Sequence, residues 1–311
     1  GTDFYYEAAV AGAIPVVYAL RESMAGDRVT SVLGIVNGTT NYILDEMSTK
    51  GLSFEEALAT AQALGYAEAD PTADVDGLDA AAKAAILASL SFHTRVGLSD
   101  VQVEGIRSVT ADDIREAHAS GCELKLLAIA QLREDEHARG VSVRVHPALV
   151  PADHPLASVH GAYNAVLVEA ESAGRLMFYG QGAGGAPTAS AVLSDVVAAA
   201  AHRVYGGRAP RESSYARLSV LGPEAAVTRY QIQLRVEDAA GSLAAMAGVF
   251  ADNEVSINSV RQSAYVTRDG AAVVTFVTHP APVFHLDAAV EGLRHSERVL
   301  EVVSVWRVEG Q

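Results

Sequence analysis

The sequence contains a single cysteine, Cys122, which excludes a disulfide framework within the chain. This is typical of a reducing compartment, and with no visible signal peptide we expect a cytoplasmic protein. Basic residues are scarce as well: 23 Lys and Arg against 38 Asp and Glu give a net charge of −15. That balance argues against a nucleic acid or an anionic membrane surface as partner. The longest apolar run near the start, residues 8–20, is too short to span a membrane and contains Pro15.

A dinucleotide-binding start is also missing. A nicotinamide-binding domain opens with a strand, a G-x-G-x-x-G turn and a helix, and none of this occurs before residue 20. The turn GQGAGG at residues 180–185 follows a predicted strand and precedes a helix. However, a dinucleotide-binding fold requires a second strand after this helix, ending in an acidic residue that binds the ribose. Residues 188–204 instead form one alanine-rich helical pattern without such a strand. This glycine turn alone is weak evidence for a dinucleotide fold.

What the chain does have is enough apolar sequence for a substantial core. Half of its 311 residues are hydrophobic and 20% are charged, and the length predicts about two domains.

The most distinctive stretch is GYAEADPTADVDGLDAAAK at residues 65–83. It carries one lysine, Lys83, and five carboxylates: Glu68, Asp70, Asp74, Asp76 and Asp79. Pro71 predicts a turn at Asp70, and Asp74 is expected to cap a helix whose first turn contains Asp76. Asp79 and Lys83 are four apart and share one helix face. They form either a solvated surface pair, worth a few tenths of a kcal/mol, or part of a polar cavity that uses the lysine.

Three motifs resemble those of the homoserine dehydrogenases. They are GYAEADPTADVDGLDAAAK at 65–83, GIVNGTTNYIL at 34–44 and GQGAGGAPTA at 180–189, in the order found in that family. The resemblance covers most of residues 4–205. It implies NAD(P)H-dependent reduction of aspartate 4-semialdehyde to homoserine, a step in threonine, methionine and isoleucine biosynthesis.

The resemblance assigns roles to residues of this chain. Lys83 is the expected proton donor, because hydride addition to an aldehyde leaves an alkoxide that needs a proton. The expected substrate-binding residues are Glu68, Asp79, Asn37, Thr39 and Tyr66. The residues expected to contact the cofactor are Gly65, Gly180 and Gly182.

The resemblance also implies that the family's N-terminal nucleotide-binding domain is not in this sequence, together with a second lysine of the family's site. We therefore expect this chain alone to lack dehydrogenase activity and to bind NAD(P)H weakly or not at all.

Residues 5–13 resemble the turn whose backbone carbonyls hold a monovalent cation such as Na⁺ in that family. The carbonyls would be those of Glu7, Val10, Gly12 and Ile14. Oxygen ligation suits a hard ion. The same small residues equally fit an ordinary helix start.

The middle motif predicts a strand at 31–36, a turn at Asn37–Gly38 and a helix opened by Thr39, Thr40 and Asn41. A helix N-terminus with free N–H groups suits a carboxylate ligand, although these residues are also simply good caps. A second helix at 53–64 has a capping box and ends at Gly65, the expected C′ glycine.

Strands follow at 123–132, 141–149, 162–170 and 175–180, with helices at 111–119 and 185–204. This pattern predicts an α+β domain, a mixed sheet covered by helices on one face. The histidines between 93 and 160 lack metal-ligand spacing, so a transition-metal site is not expected.

The last 80 residues predict a βαββαβ unit with strands at 229–236, 255–265, 271–278 and 299–308, helices at 241–252 and 286–295, and a turn at 267–270. This ferredoxin-like order, with the D-x-x-G-x-L turn after its first strand, resembles an ACT domain, an amino-acid-sensing module. Asp238, Gly241 and Asn258 are the implied effector-binding residues, with threonine as the family's usual effector. The alternative is a plate used only for dimerisation.

We therefore divide the chain into a catalytic and dimerisation domain (1–205), a linker (206–228) and an ACT domain (229–309), in a homo-oligomer of at least two copies. The competing hypothesis is a non-catalytic amino-acid-binding protein. The presence of Glu68, Asp79 and Lys83 together favours the enzyme, because binding an amino acid does not require a proton donor.

Overall fold

The computed structural model describes residues 3–134, 138–209, 213–262 and 271–310. The chain divides into two compact units, one reaching to Leu221 and the other beginning at Gly222. This boundary falls inside the segment 206–228 that we predicted as a linker.

A mixed sheet forms the centre of the first unit. Its described strands are β1 (Val29–Ile35), β2 (Gln102–Val103), β3 (Cys122–Glu134), β4 (Arg139–Pro151), β5 (Tyr163–Ala170) and β6 (Gly174–Gln181). The order β6-β5-β1-β3-β4 is antiparallel throughout, and β2 runs parallel to β4. The mixed sheet and its four predicted long strands are confirmed, with β3 and β4 each a few residues longer than predicted.

Helices pack on this sheet and beside it. They are α1 (Val16–Tyr18), α2 (Gly38–Lys50), α3 (Phe54–Ala63), α4 (Thr72–Val75), α5 (Leu78–Phe92), α6 (Ala111–Ala119) and α7 (Gly185–Tyr205). Of these, α2, α5 and α6 pack against β3. The core side of α5 consists mostly of alanine, which lets the helix approach the sheet closely.

The prediction for α7 was wrong in one respect. We expected this helix to cover the sheet, but Ala191 is its only buried residue, and it packs mainly against the turn Glu7–Ala9. Its apolar side chains at Leu193, Val197 and Val204 are exposed. None of the described helices, α7 included, is both long and apolar enough to cross a membrane.

Local sequence signals explain where α3 begins and ends. Ser53 and Glu56 form the predicted capping box. At the other end, Gly65 has a left-handed φ of 78°, and its N–H donates to the Gln62 carbonyl. The Tyr66 N–H donates to the Ala61 carbonyl, which completes a Schellman motif and confirms Gly65 as the C′ glycine.

The second unit has the predicted βαββαβ order. Its elements are β7 (Val227–Glu237), α8 (Ser242–Asp252), β8 (Ile257–Gln262), β9 (Ala271–Thr278), β10 (Ala281–Pro282), α9 (Val283–Arg294) and β11 (Val299–Val308). The strand order is β11-β7-β9-β8, with the short β10 beside β7. Ile232, Phe250, Phe276 and Leu286 are fully buried between the sheet and the two helices. The predicted turn 267–270 and the end of the predicted strand, 263–265, lie outside the described residues.

Candidate active site

The acidic segment between α3 and α5 folds differently from our prediction. Asp74 does not cap a long helix: it lies inside the one-turn helix α4, and Asp76 is the C-cap of that turn. Gly77 then adopts a left-handed φ of 79° and becomes the N-cap of α5. A Cβ at Gly77 would lie 3.1 Å from the Val103 side chain. The prediction failed because a left-handed glycine interrupts an otherwise helical pattern.

Lys83 lies on α5 one turn after Asp79. Its Nζ donates to Asp79 Oδ2 at 2.6 Å and to the Val36 carbonyl oxygen, just after β1, at 2.9 Å. The Lys83 side chain is only 18% exposed, so this ammonium group is not a solvated surface charge. An ammonium has three N–H donors, and these two bonds leave one for a ligand.

Asn37 connects the start of α2 to the acidic segment. Its Nδ2 donates to Asp74 Oδ1 at 2.7 Å and to Asp79 Oδ2 at 2.8 Å. Its Oδ1 accepts from the Thr40 N–H at 2.9 Å, so Asn37 caps α2 rather than simply lying in a turn. Asn37, Asp74, Asp79 and Lys83 thus form one hydrogen-bonded group from three parts of the chain, which we call the Lys83 network.

The Lys83 network keeps acceptor capacity for a cation. Both bonds to Asp79 end on Oδ2, and the bond to Asp74 ends on Oδ1. Asp79 Oδ1 and Asp74 Oδ2 therefore remain, and the Asp79 side chain is 33% exposed. The network presents an N–H donor beside two carboxylate oxygens, an arrangement that suits a ligand carrying both an oxygen and an ammonium group.

Thr39 and Tyr66 lie together beside this network. The Thr39 hydroxyl donates to the Tyr66 carbonyl at 2.7 Å, and the Tyr66 ring packs on Tyr42 with centroids 4.9 Å apart. Glu68 follows on an exposed loop, where its carbonyl accepts from Gln62. Within the part of the chain that the structure describes, no hydrogen bond joins the Glu68 carboxylate to the Lys83 network.

The glycine turn after β6 packs against the turn near the start of the chain. A Cβ at Gly182 would lie 2.0 Å from Asn164 Nδ2, and one at Gly12 would lie 2.3 Å from the Gly182 oxygen. A Cβ at Gly180 would lie 3.3 Å from Ile14 Cγ1. The structure therefore brings two predicted cofactor residues, Gly180 and Gly182, next to two predicted cation residues, Gly12 and Ile14.

Glu7 uses its side chain within the fold. The carboxylate accepts from the Val17 and Tyr18 N–H groups at the start of α1, and burial raises the pKa of Glu7. Val10 is fully buried, and Ala11 and Gly12 after it both have left-handed φ values, 58° and 57°. Among the described residues, no group of three His, Cys, Asp or Glu side chains is arranged to hold a metal ion.

The three predicted effector residues belong to the second unit. Asp238 and Gly241 are exposed in the connection from β7 to α8, where Gly241 is the left-handed N-cap of α8. Asn258 is exposed on β8, an edge strand of that sheet.

Several polar residues of this region escaped the sequence prediction. We predicted Asp74 only as a helix cap, but its carboxylate accepts a hydrogen bond from Asn37, which lies 37 residues earlier in the sequence. Asn41 donates to the Gly161 carbonyl at 2.8 Å, and Lys125 donates to the Val159 carbonyl at 2.7 Å. The sequence signal that could have found them is a polar residue inside an apolar segment. Lys125, which is fully buried in β3, is an example.

Comparison with known proteins gives matches to one family, both by family model and by overall sequence identity. The family model described as homoserine dehydrogenase matches residues 15–197. The chain is 57% identical to the homoserine dehydrogenase of Mycobacterium bovis, over 99% of this chain and 71% of that protein. It is 54% identical to the homoserine dehydrogenase of Corynebacterium glutamicum, over 99% of this chain and 68% of that protein.

Solved structures agree. The chain resembles the crystal structure of a homoserine dehydrogenase from Thiobacillus denitrificans with a TM-score of 0.85 and 38% identity, over 98% of this chain and 69% of that one. A hyperthermophilic archaeal homoserine dehydrogenase mutant, in complex with NADPH, matches with a TM-score of 0.53 and 31% identity, over 63% of this chain and 55% of that one.

Proposed function

The chain belongs to the homoserine dehydrogenase family, and we propose that Lys83 is the residue that delivers the proton in its reaction. The activity is that of a homoserine dehydrogenase, an oxidoreductase of amino-acid biosynthesis that reduces aspartate 4-semialdehyde with NAD(P)H. The comparisons do not favour the non-catalytic alternative.

The geometry around Lys83 supports this role. The nicotinamide cofactor, when bound, supplies the hydride. The alkoxide that forms on the substrate needs a proton and a nearby positive charge. Asp79 and the Val36 carbonyl hold the Lys83 ammonium in a mostly buried position and leave one N–H for the substrate oxygen.

The substrate's own charged groups have separate partners. Its ammonium group binds the remaining oxygens of Asp79 and Asp74, with Glu68 joining from the exposed loop. Its carboxylate binds at the start of α2, at the N–H groups of Gly38 and Thr39, since the Thr40 N–H is already bonded to Asn37. Tyr66 lies at the edge of this site, and 48% of it is exposed.

The cofactor side of the site is the glycine turn with Gly180 and Gly182, together with Gly65. The residues present fit such a ligand. The turn leads into the N-terminus of α7, and a Cβ built at Gly185 meets nothing within 4 Å, so the first N–H groups of the helix border open space. A dinucleotide complex is known for one similar structure, the archaeal mutant with NADPH.

The proposal includes a monovalent cation such as Na⁺ at the carbonyls of Glu7, Val10, Gly12 and Ile14. The supporting observation is the left-handed pair of residues 11 and 12. Ala11 is not a glycine, and a left-handed alanine is a strained conformation that is kept where it serves a purpose.

The second unit is proposed to be an ACT regulatory domain that binds an amino acid such as threonine at Asp238, Gly241 and Asn258. Its ferredoxin-like sheet and exposed edge strand β8 support pairing with a second copy, and hence a homodimer. In this scheme residues 1–205 serve catalysis and dimerisation, 206–228 link the domains, and 229–309 regulate.

The test compares two lysines in the complete enzyme. Lys83→Ala should lower kcat by about 10²-fold or more, the usual scale for a lost acid–base group. Lys50 is the matched control, because it also forms an i,i+4 pair, with Glu46 at 2.6 Å, but is 59% exposed on α2. Lys50→Ala should leave kcat unchanged. Near-wild-type turnover by folded Lys83→Ala would refute the assignment.

A further inference from the structure

A buried asparagine lies between the two halves of the proposed site. Asn164 is the second residue of β5, faces Gly180 of β6 in the strand register, and is 1% exposed. The residues that follow it in β5 are apolar as far as Val168, so an amide stands where the pattern predicts a core side chain. Its Oδ1 is buried and has no hydrogen-bond partner among the described residues. A buried amide of this kind costs stability, which argues for a function.

Two glycines pack beside this amide, Gly182 tightly and Gly38 at ordinary contact distance. A Cβ at Gly182 would lie 2.0 Å from Asn164 Nδ2 and 2.1 Å from its Cγ. A Cβ at Gly38, the first residue of α2, would lie 2.7 Å from the Ala162 oxygen and 3.5 Å from Asn164 Oδ1. Neither glycine has a left-handed φ. Both positions therefore require glycine because of close approach and not because of backbone conformation.

We infer that Asn164 is a positioning residue that fixes the distance between the glycine turn at Gly182 and the start of α2. This inference rests on the proposed function, in which the glycine turn faces the cofactor and α2 faces the substrate. Asn37, the residue before Gly38, is bonded directly to Asp79, the partner of Lys83. Asn164 thus sets how the cofactor side of the site lies relative to the Lys83 network.

The physical consequence is in the hydride transfer step. Reacting atoms must lie about 3–3.5 Å apart, and a displacement of about 1 Å can reduce the rate by roughly 10²-fold. A change at Asn164 should therefore slow hydride transfer more than it weakens binding of either ligand.

The experiment uses the complete enzyme and NADPH deuterated at the transferred position. Asn164→Leu keeps a similar volume but removes the amide. It should lower kcat by about tenfold or more, leave KM within about threefold, and raise the deuterium isotope effect on kcat. Val168→Ala is the matched control, because Val168 is fully buried on the same face of β5, four residues further along. It should lose stability without changing the isotope effect.

A size exchange provides the second measurement. Gly182→Ala places a methyl group on the Asn164 amide and should reduce kcat by about 10²-fold. Adding Asn164→Ala removes the clashing atoms, so the double variant should be more active than Gly182→Ala alone. A double variant no better than Gly182→Ala, or Asn164→Leu behaving like Val168→Ala, overturns the inference. Failure of the proposed function is seen separately, as full activity of Lys83→Ala.

Discussion

Asn37 has two separable tasks, and two substitutions can distinguish them. Its Oδ1 caps α2 by accepting from the Thr40 N–H, and its Nδ2 donates to the carboxylates of Asp74 and Asp79. Asn37→Ser keeps a capping oxygen but removes the amide donors. Asn37→Ala removes both. Loss of an N-cap costs about 1 kcal/mol.

The two amide bonds end on charged groups, and each such bond is worth about 1.5–3 kcal/mol when buried. Asp79 is one-third exposed, so solvent reduces this, and we expect about 1 kcal/mol from the pair. Asn37→Ser should therefore lose about 1 kcal/mol of unfolding free energy and Asn37→Ala about 2 kcal/mol. Both should lower kcat/KM by about tenfold or more, because Asp79 and Lys83 lose their fixed orientation.

The assay combines urea unfolding with steady-state kinetics. The matched control is Ser53→Ala, which removes the N-cap of α3 and should cost about 1 kcal/mol without changing kcat/KM. If Asn37→Ala matches Ser53→Ala in both measurements, the amide does not organise the carboxylates and the reasoning is refuted.

Four further predictions concern other parts of the chain. Burial lowers the pKa of Lys125 in the folded protein. Between that lowered pKa and the ordinary value of 10.5 the unfolded chain binds more protons than the folded chain, so the free energy of unfolding rises with pH. Lys125→Met should flatten this rise when thermal unfolding is measured across the same pH range, and an unchanged slope would count against the prediction. If a monovalent cation binds near Gly12, replacing NaCl by choline chloride at equal ionic strength should lower Tm, and an identical Tm would contradict the site. Asn258→Ala should relieve threonine inhibition of the complete enzyme without changing its uninhibited rate. Light scattering of the wild-type protein should give the mass of at least a dimer, and a monomer at micromolar concentration contradicts the proposed interface.

Elements with strong local signals could be predicted from the sequence. The strands β9 and β11 begin and end where predicted, because each is marked by a short run rich in apolar and β-branched residues. The capping box at Ser53 and the C′ glycine at Gly65 are also local patterns, and both are confirmed.

What could not be predicted depends on contacts between distant residues. Nothing in the sequence near Asp74 indicates that Asn37 will donate to it, and the exposure of α7 does not follow from its alanine-rich pattern. Asn164 and Gly182 are unremarkable separately, and only the pairing of β5 with β6 brings them into contact. Pattern analysis identified Asn37, Asp79 and Lys83 as site residues, but not the role of Asp74 or the hydrogen bonds that connect the four.

The central claim is that Lys83 delivers the proton, and a single-turnover experiment tests it most directly. Lys83→Met in the complete enzyme keeps an unbranched side chain of similar length but cannot donate. With NADPH prebound and saturating aspartate 4-semialdehyde, the observed rate of NADPH oxidation reports the chemical step without product release. The account predicts a rate at least about 10²-fold below wild type, with NADPH affinity unchanged. A folded Lys83→Met enzyme that oxidises NADPH at the wild-type rate would contradict it.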